Sequence, residues 1–155
     1  MRNAETCCTI AAGIAFRAAP SHAGAMSEQA PQAPFGTPMI RTVAMPADTN
    51  PAGDIFGGWL MGQMDLAAGN AAARRAQGRC ATIAVDGMSF LSPVHVGDEV
   101  SLYAEIVKVG TTSMKVAVEA WRRPRHDGAS TQVTKACFTF VAIDAHGRPR
   151  KVPKD

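Results

Sequence analysis

The sequence predicts an α+β domain in which one long helix packs across an antiparallel β-sheet. Three observations support this class. A single helical stretch runs from about residue 57 to 77, and four β-type runs follow it. The joints between these runs are short and rich in glycine and proline, as antiparallel connections are. The helix has one continuous apolar face, formed by Leu60, Met64, Ala67, Ala68 and Ala71.

Each element carries its own sequence signals. PMIRTVAMP, residues 38–46, is a short strand candidate between prolines, and ADTNPAGD, residues 47–54, is a loop. The helix ends before Gly78, which we expect to be its C-cap. The β-type runs after it are CATIAVDGMSFL, EVSLYAEIVKVG, SMKVAVEAWRR and TQVTKACFTFVAID. In the second and third runs every other residue is apolar, so we expect one face of the sheet to be buried.

Length and composition limit the function classes. With 155 residues, 46% hydrophobic and 19% charged, the chain holds one core, which we place in residues 38–155. No apolar run approaches the roughly 18 residues that a membrane span needs. The net charge of +3 is small and scattered, which argues against a nucleic-acid groove. The four cysteines show neither C-x-x-C pairing nor zinc-ligand spacing, so we expect reduced thiols, a cytoplasmic protein and no metal.

Residues 1–37 differ in composition from the rest. We expect a disordered N-terminal extension, or a start assigned too early, with Met26 as the alternative first residue. A weak signal peptide is the third interpretation, because Thr9–Phe16 is apolar and Ala23–Ala25 has a small-x-small pattern.

The helix carries an acidic residue in an unusual setting. Asp65 lies in its middle, and each interior glycine costs about 1 kcal/mol relative to alanine, so the glycines need a compensating reason. Two interpretations remain open. The small residues serve tight packing on the sheet or on a partner, or they let a ligand approach a catalytic Asp65. The residues grouped with Asp65 are Gly58, Met61, Gly62, Ala68, Gly69 and Ala72.

The start of the helix is a second candidate site. Asp54 precedes it by three residues, and aspartate is among the best N-cap residues, so capping is one explanation for Asp54. The other is a role in chemistry, because Gly57 and Gly58 leave the first N–H groups unshielded and ready to bind an oxyanion or phosphate. Donors at the helix start and a carboxylate two turns later form a pair suited to catalysis.

The combination of these motifs resembles one known family. MPADTNPAGDIFGGWLMGQMD, the segment ATIAVDGMSFLSPVHVGDEVSLYAEIVKVGTTSMKVAVEAW and ACFTFVAIDAHGRPRKVP are together similar to the acyl-CoA thioesterases of the hotdog superfamily, and to the YciA-like group in particular. The resemblance covers about residues 40–153. It implies the hotdog fold, a long central helix wrapped by an antiparallel sheet, and hydrolysis of acyl-CoA to CoA and a carboxylic acid in fatty acid metabolism.

The resemblance also implies a set of site residues. Asp65 corresponds to the family's catalytic carboxylate, and Asp54 lies where relatives carry a second polar site residue from the opposite protomer. The N–H groups of Gly57 and Gly58 would face the thioester carbonyl. No cofactor is implied beyond the CoA of the substrate. The expected assembly is a homodimer with a continuous sheet, combining into hexamers. Whether Asp65 activates water or attacks the carbonyl directly stays open.

CoA binding is expected at the turn between two strands and at the C-terminal tail. The turn residues are Lys108, Gly110, Thr111, Thr112 and Ser113, and a merely polar hairpin is the alternative. Relatives commonly carry Arg at the position of Thr111, so either one phosphate contact is missing here, or the tail residues Arg148 and Arg150, with Lys151, replace it. His95 is expected to be a loop histidine without a catalytic role.

Two other functions compete with hydrolysis. A hydratase or dehydratase on this fold relies on a histidine, and residues 45–77 contain none. A non-catalytic acyl-CoA binding or sensing module remains the alternative, because the same residues would bind the ligand without turning it over.

Overall fold

The computed structural model describes residues 36–126 and 128–154, so the expectations for residues 1–35 lie outside it. The order of elements is that predicted: a strand, a long helix and then strands only. They are β1 (Ile40–Val43), a 3-10 turn (Pro46–Asp48), α1 (Gly57–Ala76), β2 (Cys80–Val85), β3 (Ser89–Phe90), β4 (Glu99–Val109), β5 (Ser113–Arg123) and β6 (Thr131–Ala142).

The strands form one antiparallel sheet in the order β1-β4-β5-β6-β2, with β3 also paired to β6. The run CATIAVDGMSFL is therefore two strands, whereas one was predicted. The break comes after β2, where the N–H of Asp86 donates to the carbonyl of Cys137 at 2.8 Å. β3 then pairs with β6 at Lys135 and Thr134, further along the same edge.

The core lies between α1 and the sheet. All five residues of the predicted helix face are at most 9% exposed. The predicted alternation along β5 is confirmed, since Met114, Val116, Val118 and Ala120 are buried against the helix. The helix packs across one face of the curled sheet. The side of the helix that points away from the sheet, which includes Met61 and Leu66, stays exposed in the protomer. No helix in the described part of the chain is long and apolar enough to cross a membrane.

The helix ends differ from the sequence predictions. Its N-cap is Phe56, which makes no side-chain cap, so the capping role considered for Asp54 is wrong. Its C-cap is Gln77 in the left-handed conformation (φ 50°), so the prediction of Gly78 was wrong by one residue. Gly78 instead makes room for a side chain. A Cβ there would lie 2.7 Å from Arg150 Nη2, so the glycine lets that guanidinium reach the helix end.

The β2 edge of the sheet is apolar and open. Within residues 36–126 and 128–154, β2 has β6 as its one neighbour, and Ile83 on it is 61% exposed. On the nearby helix, Leu66 is 57% and Met61 41% exposed. An open strand edge flanked by apolar side chains is a surface that favours association with another chain.

Candidate active site

Asp65 lies in the middle of α1 and is held from β2. The hydroxyl of Thr82 donates to Asp65 Oδ1 at 2.7 Å. The register of β2 against β6 shifts between Thr82 and Ala84, so Ile83 is the extra residue of a β-bulge. Bulges bend a strand and redirect its side chains, and this one lies directly beside the Asp65 contact. The carboxylate is half-buried, with one oxygen fixed by a neutral donor.

The start of α1 presents free N–H groups. Gly57, Gly58 and Trp59 come too early in the helix to have an intrahelical acceptor, and Phe56 supplies no side-chain cap. At Gly58 no described atom lies within 4 Å of the position that a Cβ would take. At Gly57 that position is 3.1 Å from the ring of Phe90. The two glycines therefore differ: Gly58 faces open space, and Gly57 accommodates an aromatic ring.

An apolar groove adjoins these N–H groups. Its volume is about 410 Å³, and it runs between the helix start and the segment after β3. Its walls are Ile55, Phe56, Gly57, Leu60, Phe90, Leu91, Ser92, Pro93, Val94 and Val133. Because only one of these side chains is polar, the groove suits a hydrocarbon chain next to a hydrogen-bonding helix terminus.

Asp54 is placed on a tightly bonded loop ahead of the helix. Asn50 Oδ1 accepts the N–H groups of Ala52 (2.9 Å) and Asp54 (3.1 Å). The N–H of Asn50 donates to the carbonyl of Asp54 at 2.7 Å. With its backbone fixed in this way, Asp54 extends its carboxylate outward, 3.7 Å from Nδ1 of His95.

One protomer does not bring all of these groups together. At about 1.5 Å of rise per residue, the eight positions from Gly57 to Asp65 span about 12 Å of helix axis. The first N–H groups also point out of the helix start, away from Asp65. A carbonyl bound to them lies beyond the reach of a water molecule held by Asp65 of the same chain. Asp54 and the groove lie at the N–H end, and Thr82 at the Asp65 end.

The predicted CoA turn is a closed hairpin between β4 and β5. The N–H of Gly110 donates to the carbonyl of Ser113 at 2.7 Å. The hydroxyls of Thr111, Thr112 and Ser113 make no hydrogen bond with any described residue, so they are available to a ligand. Lys108, just before the turn, is exposed.

The turn, the C-terminal tail and the Asp65 end of the helix occupy the same region. Ser113 pairs with Val141, and Val141 pairs with Ala81, the neighbour of Thr82. At about 4.8 Å per strand, the turn lies about 10 Å from the strand that contacts Asp65. The tail joins it through the N–H of Val152, which donates to the carbonyl of Thr111 at 2.9 Å.

The two tail arginines have different surroundings. The guanidinium of Arg150 donates to the carbonyls of Ala76 (2.8 Å) and Ile143 (3.1 Å), so it binds the C-terminal end of α1 to the tail. That engagement favours a structural role over the expected phosphate contact. Arg148 is exposed and its side chain has no partner among the described residues, so it is free to meet a ligand.

The remaining candidates have ordinary surroundings. Gly69 packs on the Phe140 ring, 3.7 Å from the position of a Cβ, whereas Gly62 faces open space. Ala68 and Ala72 are fully buried, so the small residues grouped with Asp65 divide between core packing and an open face.

Burial raises the pKa of the Cys80 thiol, and the positive charge of Arg150 opposes this effect. The described residues contain no cluster of three metal-ligating side chains.

Three residues near the site were not predicted to act there. Thr82 lies in an apolar strand run, and nothing local shows that it faces Asp65. Asn50 had a signal, because Asn before Pro and Gly commonly organises a loop through its side chain. His95 was expected to be an ordinary loop histidine, and its Nδ1 lies 3.7 Å from Asp54 Oδ1.

Comparison with known proteins places this architecture in a family. The thioesterase superfamily model matches residues 52–129, which include α1 and the strands through β5. An uncharacterised acyl-CoA thioester hydrolase of Zymomonas mobilis is 57% identical over 123 residues, covering 79% of this chain and 83% of its own. The acyl-CoA thioester hydrolase YciA of Salmonella typhimurium is 49% identical over 123 residues, covering 77% and 92%.

Solved structures agree with the sequence relatives. The hexameric thioesterase of Yersinia pestis superposes with a TM-score of 0.75 at 49% identity, and the match covers 79% of this chain and 100% of that one. The predicted resemblance and the predicted fold class are thereby confirmed. The chain belongs to the thioesterase superfamily and has its hotdog fold, one long helix wrapped by a curled antiparallel sheet.

Proposed function

We propose that the protein hydrolyses acyl-CoA thioesters at a site shared by two protomers. The observation that carries the proposal is that one helix has free N–H groups at its start, at Gly57 and Gly58, and a half-buried carboxylate, Asp65, eight positions after Gly57, too far away to act on the same carbonyl within one protomer. The names of the relatives support the substrate class, since they are acyl-CoA thioester hydrolases. One protomer supplies the helix start and its partner supplies Asp65.

The chemistry needs two functions, and the site offers both. The N–H groups at the helix start stabilise the negative charge that develops on the thioester oxygen. Asp65 accepts a proton from water as the water attacks the carbonyl carbon. The tetrahedral intermediate then collapses, the carbon–sulfur bond breaks, and CoA leaves as a thiolate that takes up a proton. Thr82 fixes one oxygen of Asp65 and leaves the other to orient the water. General-base assistance, which we favour over direct attack, is worth about 10²- to 10⁴-fold.

The two ends of the substrate have separate places. The acyl chain lies in the apolar groove beside Phe90, because this groove opens at the N–H groups that bind the carbonyl. The nucleotide end of CoA lies against the turn at residues 110–113, where unpaired hydroxyls and the side chains of Lys108 and Arg148 face outward. Hydroxyls and cations are suited to a pyrophosphate.

Association through the β2 edge completes the site. Pairing two β2 strands joins two sheets into one layer and covers Ile83, Met61 and Leu66. The open space at Gly58 and Gly62 lets a partner chain or the ligand come close. We propose that such dimers assemble into hexamers, the state of the solved Yersinia pestis relative. We propose a cytoplasmic location on the cysteine pattern of the sequence, which shows neither C-x-x-C pairing nor zinc-ligand spacing.

The test is CoA release from acetyl-, butyryl-, hexanoyl- and palmitoyl-CoA, followed chromatographically so that protein thiols do not interfere. The wild type is expected to hydrolyse at least one of these, and Asp65→Asn to lose about 100-fold or more, as removal of a general base does. Asp48→Asn is the matched control, since the Asp48 carboxylate caps the 3-10 turn by accepting the N–H of Met45 and lies outside α1. A wild type that binds CoA thioesters without releasing CoA would instead be a non-catalytic binding module.

A further inference from the structure

We propose that Phe90 selects straight acyl chains over chains that branch at the carbon next to the carbonyl. The proposal rests on the proposed function and adds a specificity-determining residue to it. Its basis is the contact between Phe90 and Gly57, one of the two glycines whose N–H groups bind the carbonyl. The tip of the Phe90 ring lies 3.1 Å from the position that a Cβ would take at Gly57, and both residues are walls of the apolar groove.

The ring stands end-on against the helix start. The three atoms nearest to the Cβ position at Gly57 are Cζ, Cε2 and Cε1 of Phe90, at 3.1, 3.5 and 3.6 Å. The backbone at Gly57 is helical and has no positive φ, so the glycine provides space and not conformational freedom. An alanine there would press on the ring, because ordinary contacts between carbon atoms are about 3.5 to 4.0 Å long.

The backbone beneath the ring is fixed to β6 on both sides of Phe90. The buried hydroxyl of Thr134 donates to the carbonyl of Ser89 at 2.8 Å. The N–H of Leu91 donates to the carbonyl of Val133 at 2.7 Å. Phe90 itself pairs with Thr134 in the register of β3 against β6. The strand therefore holds the ring against Gly57, and the ring is a fixed wall of the groove.

The ring borders the first carbons of the acyl chain. A carbonyl oxygen bound to the N–H of Gly57 lies about 2.9 Å from that nitrogen, and carbon 2 of the chain lies two bonds beyond the oxygen. A Cβ is also two bonds from the nitrogen of its residue, so the ring tip lies within about 6 Å of the Gly57 nitrogen. Carbon 2 lies in the same range. A methyl branch on carbon 2 therefore competes with the ring for space, whereas a straight chain passes along the groove.

The groove as a whole has room for a branched chain. Its volume of about 410 Å³ lies within the range of about 300 to 1,000 Å³ that is usual for small-molecule pockets. The restriction is therefore local to the carbonyl end, where the ring meets the glycine. Phe90 is 49% exposed, so shortening its side chain leaves no buried cavity of the kind that destabilises a core.

The experiment compares kcat/KM for CoA release from butyryl-CoA and isobutyryl-CoA, two isomers that differ in the branch at carbon 2. The wild type is expected to favour the straight isomer about tenfold or more, the lower end of what an apolar pocket achieves for one methylene. Phe90→Ala should reduce this preference about fivefold or more, and Phe90→Leu should give an intermediate value. Because the preference is compared between variants, the intrinsic reactivities of the two thioesters cancel.

Two controls locate the effect. Val96→Ala shortens another exposed apolar side chain (45% exposed) that is not a wall of the groove, so it should keep the wild-type preference. The substrate control is 4-methylpentanoyl-CoA against its straight isomer hexanoyl-CoA. Its branch lies two carbons further from the carbonyl, so Phe90→Ala should leave the preference between these two substrates unchanged.

The outcomes separate this proposal from the proposed function. If the wild type hydrolyses butyryl-CoA and neither Phe90 variant changes the preference, the role of Phe90 is overturned while the thioesterase stands. An equal change for 4-methylpentanoyl-CoA would also overturn it, because the ring would then narrow the whole groove. If the alanine variant does not fold, the leucine variant decides. A wild type that releases no CoA from any of these substrates would overturn both proposals.

Discussion

Replacing Gly58 by proline removes one N–H from the helix start and also restrains the backbone of Gly57, the residue before it. Proline is tolerated in the first turn of a helix, where its missing N–H has no intrahelical acceptor. At Gly58 the structure leaves room, since no described atom lies within 4 Å of a Cβ. If this N–H stabilises the oxyanion, its loss should lower kcat by about 10²- to 10³-fold, or about 3 to 4 kcal/mol.

The matched control is Gly58→Ala, which adds a Cβ and keeps the N–H. We expect kcat of the alanine variant to stay within a few-fold of wild type, with thermal stability of both variants close to it, measured by CoA release and a melting curve. The oxyanion assignment fails if the proline variant is as active as the alanine variant. Equal, large losses in both would show that crowding at Gly58 and not the N–H is responsible.

Three further predictions concern the rest of the site. Thr82→Val removes the hydrogen bond to Asp65 and should lower kcat about tenfold or more with little change in KM, whereas Thr82→Ser keeps the hydroxyl and most of the rate. Ile83→Lys places a charge on the open β2 edge and should yield inactive monomers in sedimentation, with a folded spectrum; a fully active monomer would contradict the shared site. Arg150→Ala should lower unfolding stability by about 2 kcal/mol because it frees the carbonyls of Ala76 and Ile143, and Arg148→Ala should instead raise KM for acyl-CoA without lowering the melting temperature.

The fold was largely predictable because its signals are local and periodic. Leu60, Met64 and Ala71 recur at helical spacing, and the structure buries them. The alternation along β5 likewise anticipated its buried face. The split between β2 and β3 was missed although CATIAVDGMSFL contains a turn signal, Asp86-Gly87; β2 ends just before this dipeptide, and β3 begins at Ser89.

The candidate site was predictable where an unusual residue type marked it. A carboxylate among glycines drew attention to Asp65, and two glycines at a helix start drew attention to Gly57 and Gly58. The sequence could not show that Gly62 and Gly69 have different surroundings. Only the packing shows that Gly69 contacts the Phe140 ring, whereas Gly62 faces open space.

The roles that were missed depend on contacts between distant residues. Arg150 reaches the carbonyl of Ala76 across 74 positions, and Thr82 reaches Asp65 across 17. The capping role of Asp54 was wrong because an N-cap is set by backbone conformation, and Phe56, with φ −57° and ψ 130°, occupies it. Residue preference alone does not fix that position to within two residues.

Mixing two inactive variants tests the shared active site most directly. Gly58→Pro damages the helix start, and Asp65→Asn damages the carboxylate, so each homodimer has two defective sites. In an equal mixture, half of the dimers contain one copy of each chain, and each of these has one intact site, because a two-fold dimer repeats its site twice. We predict CoA release at about a quarter of the wild-type rate after co-refolding. A mixture no more active than the separate variants would contradict a site built from two protomers.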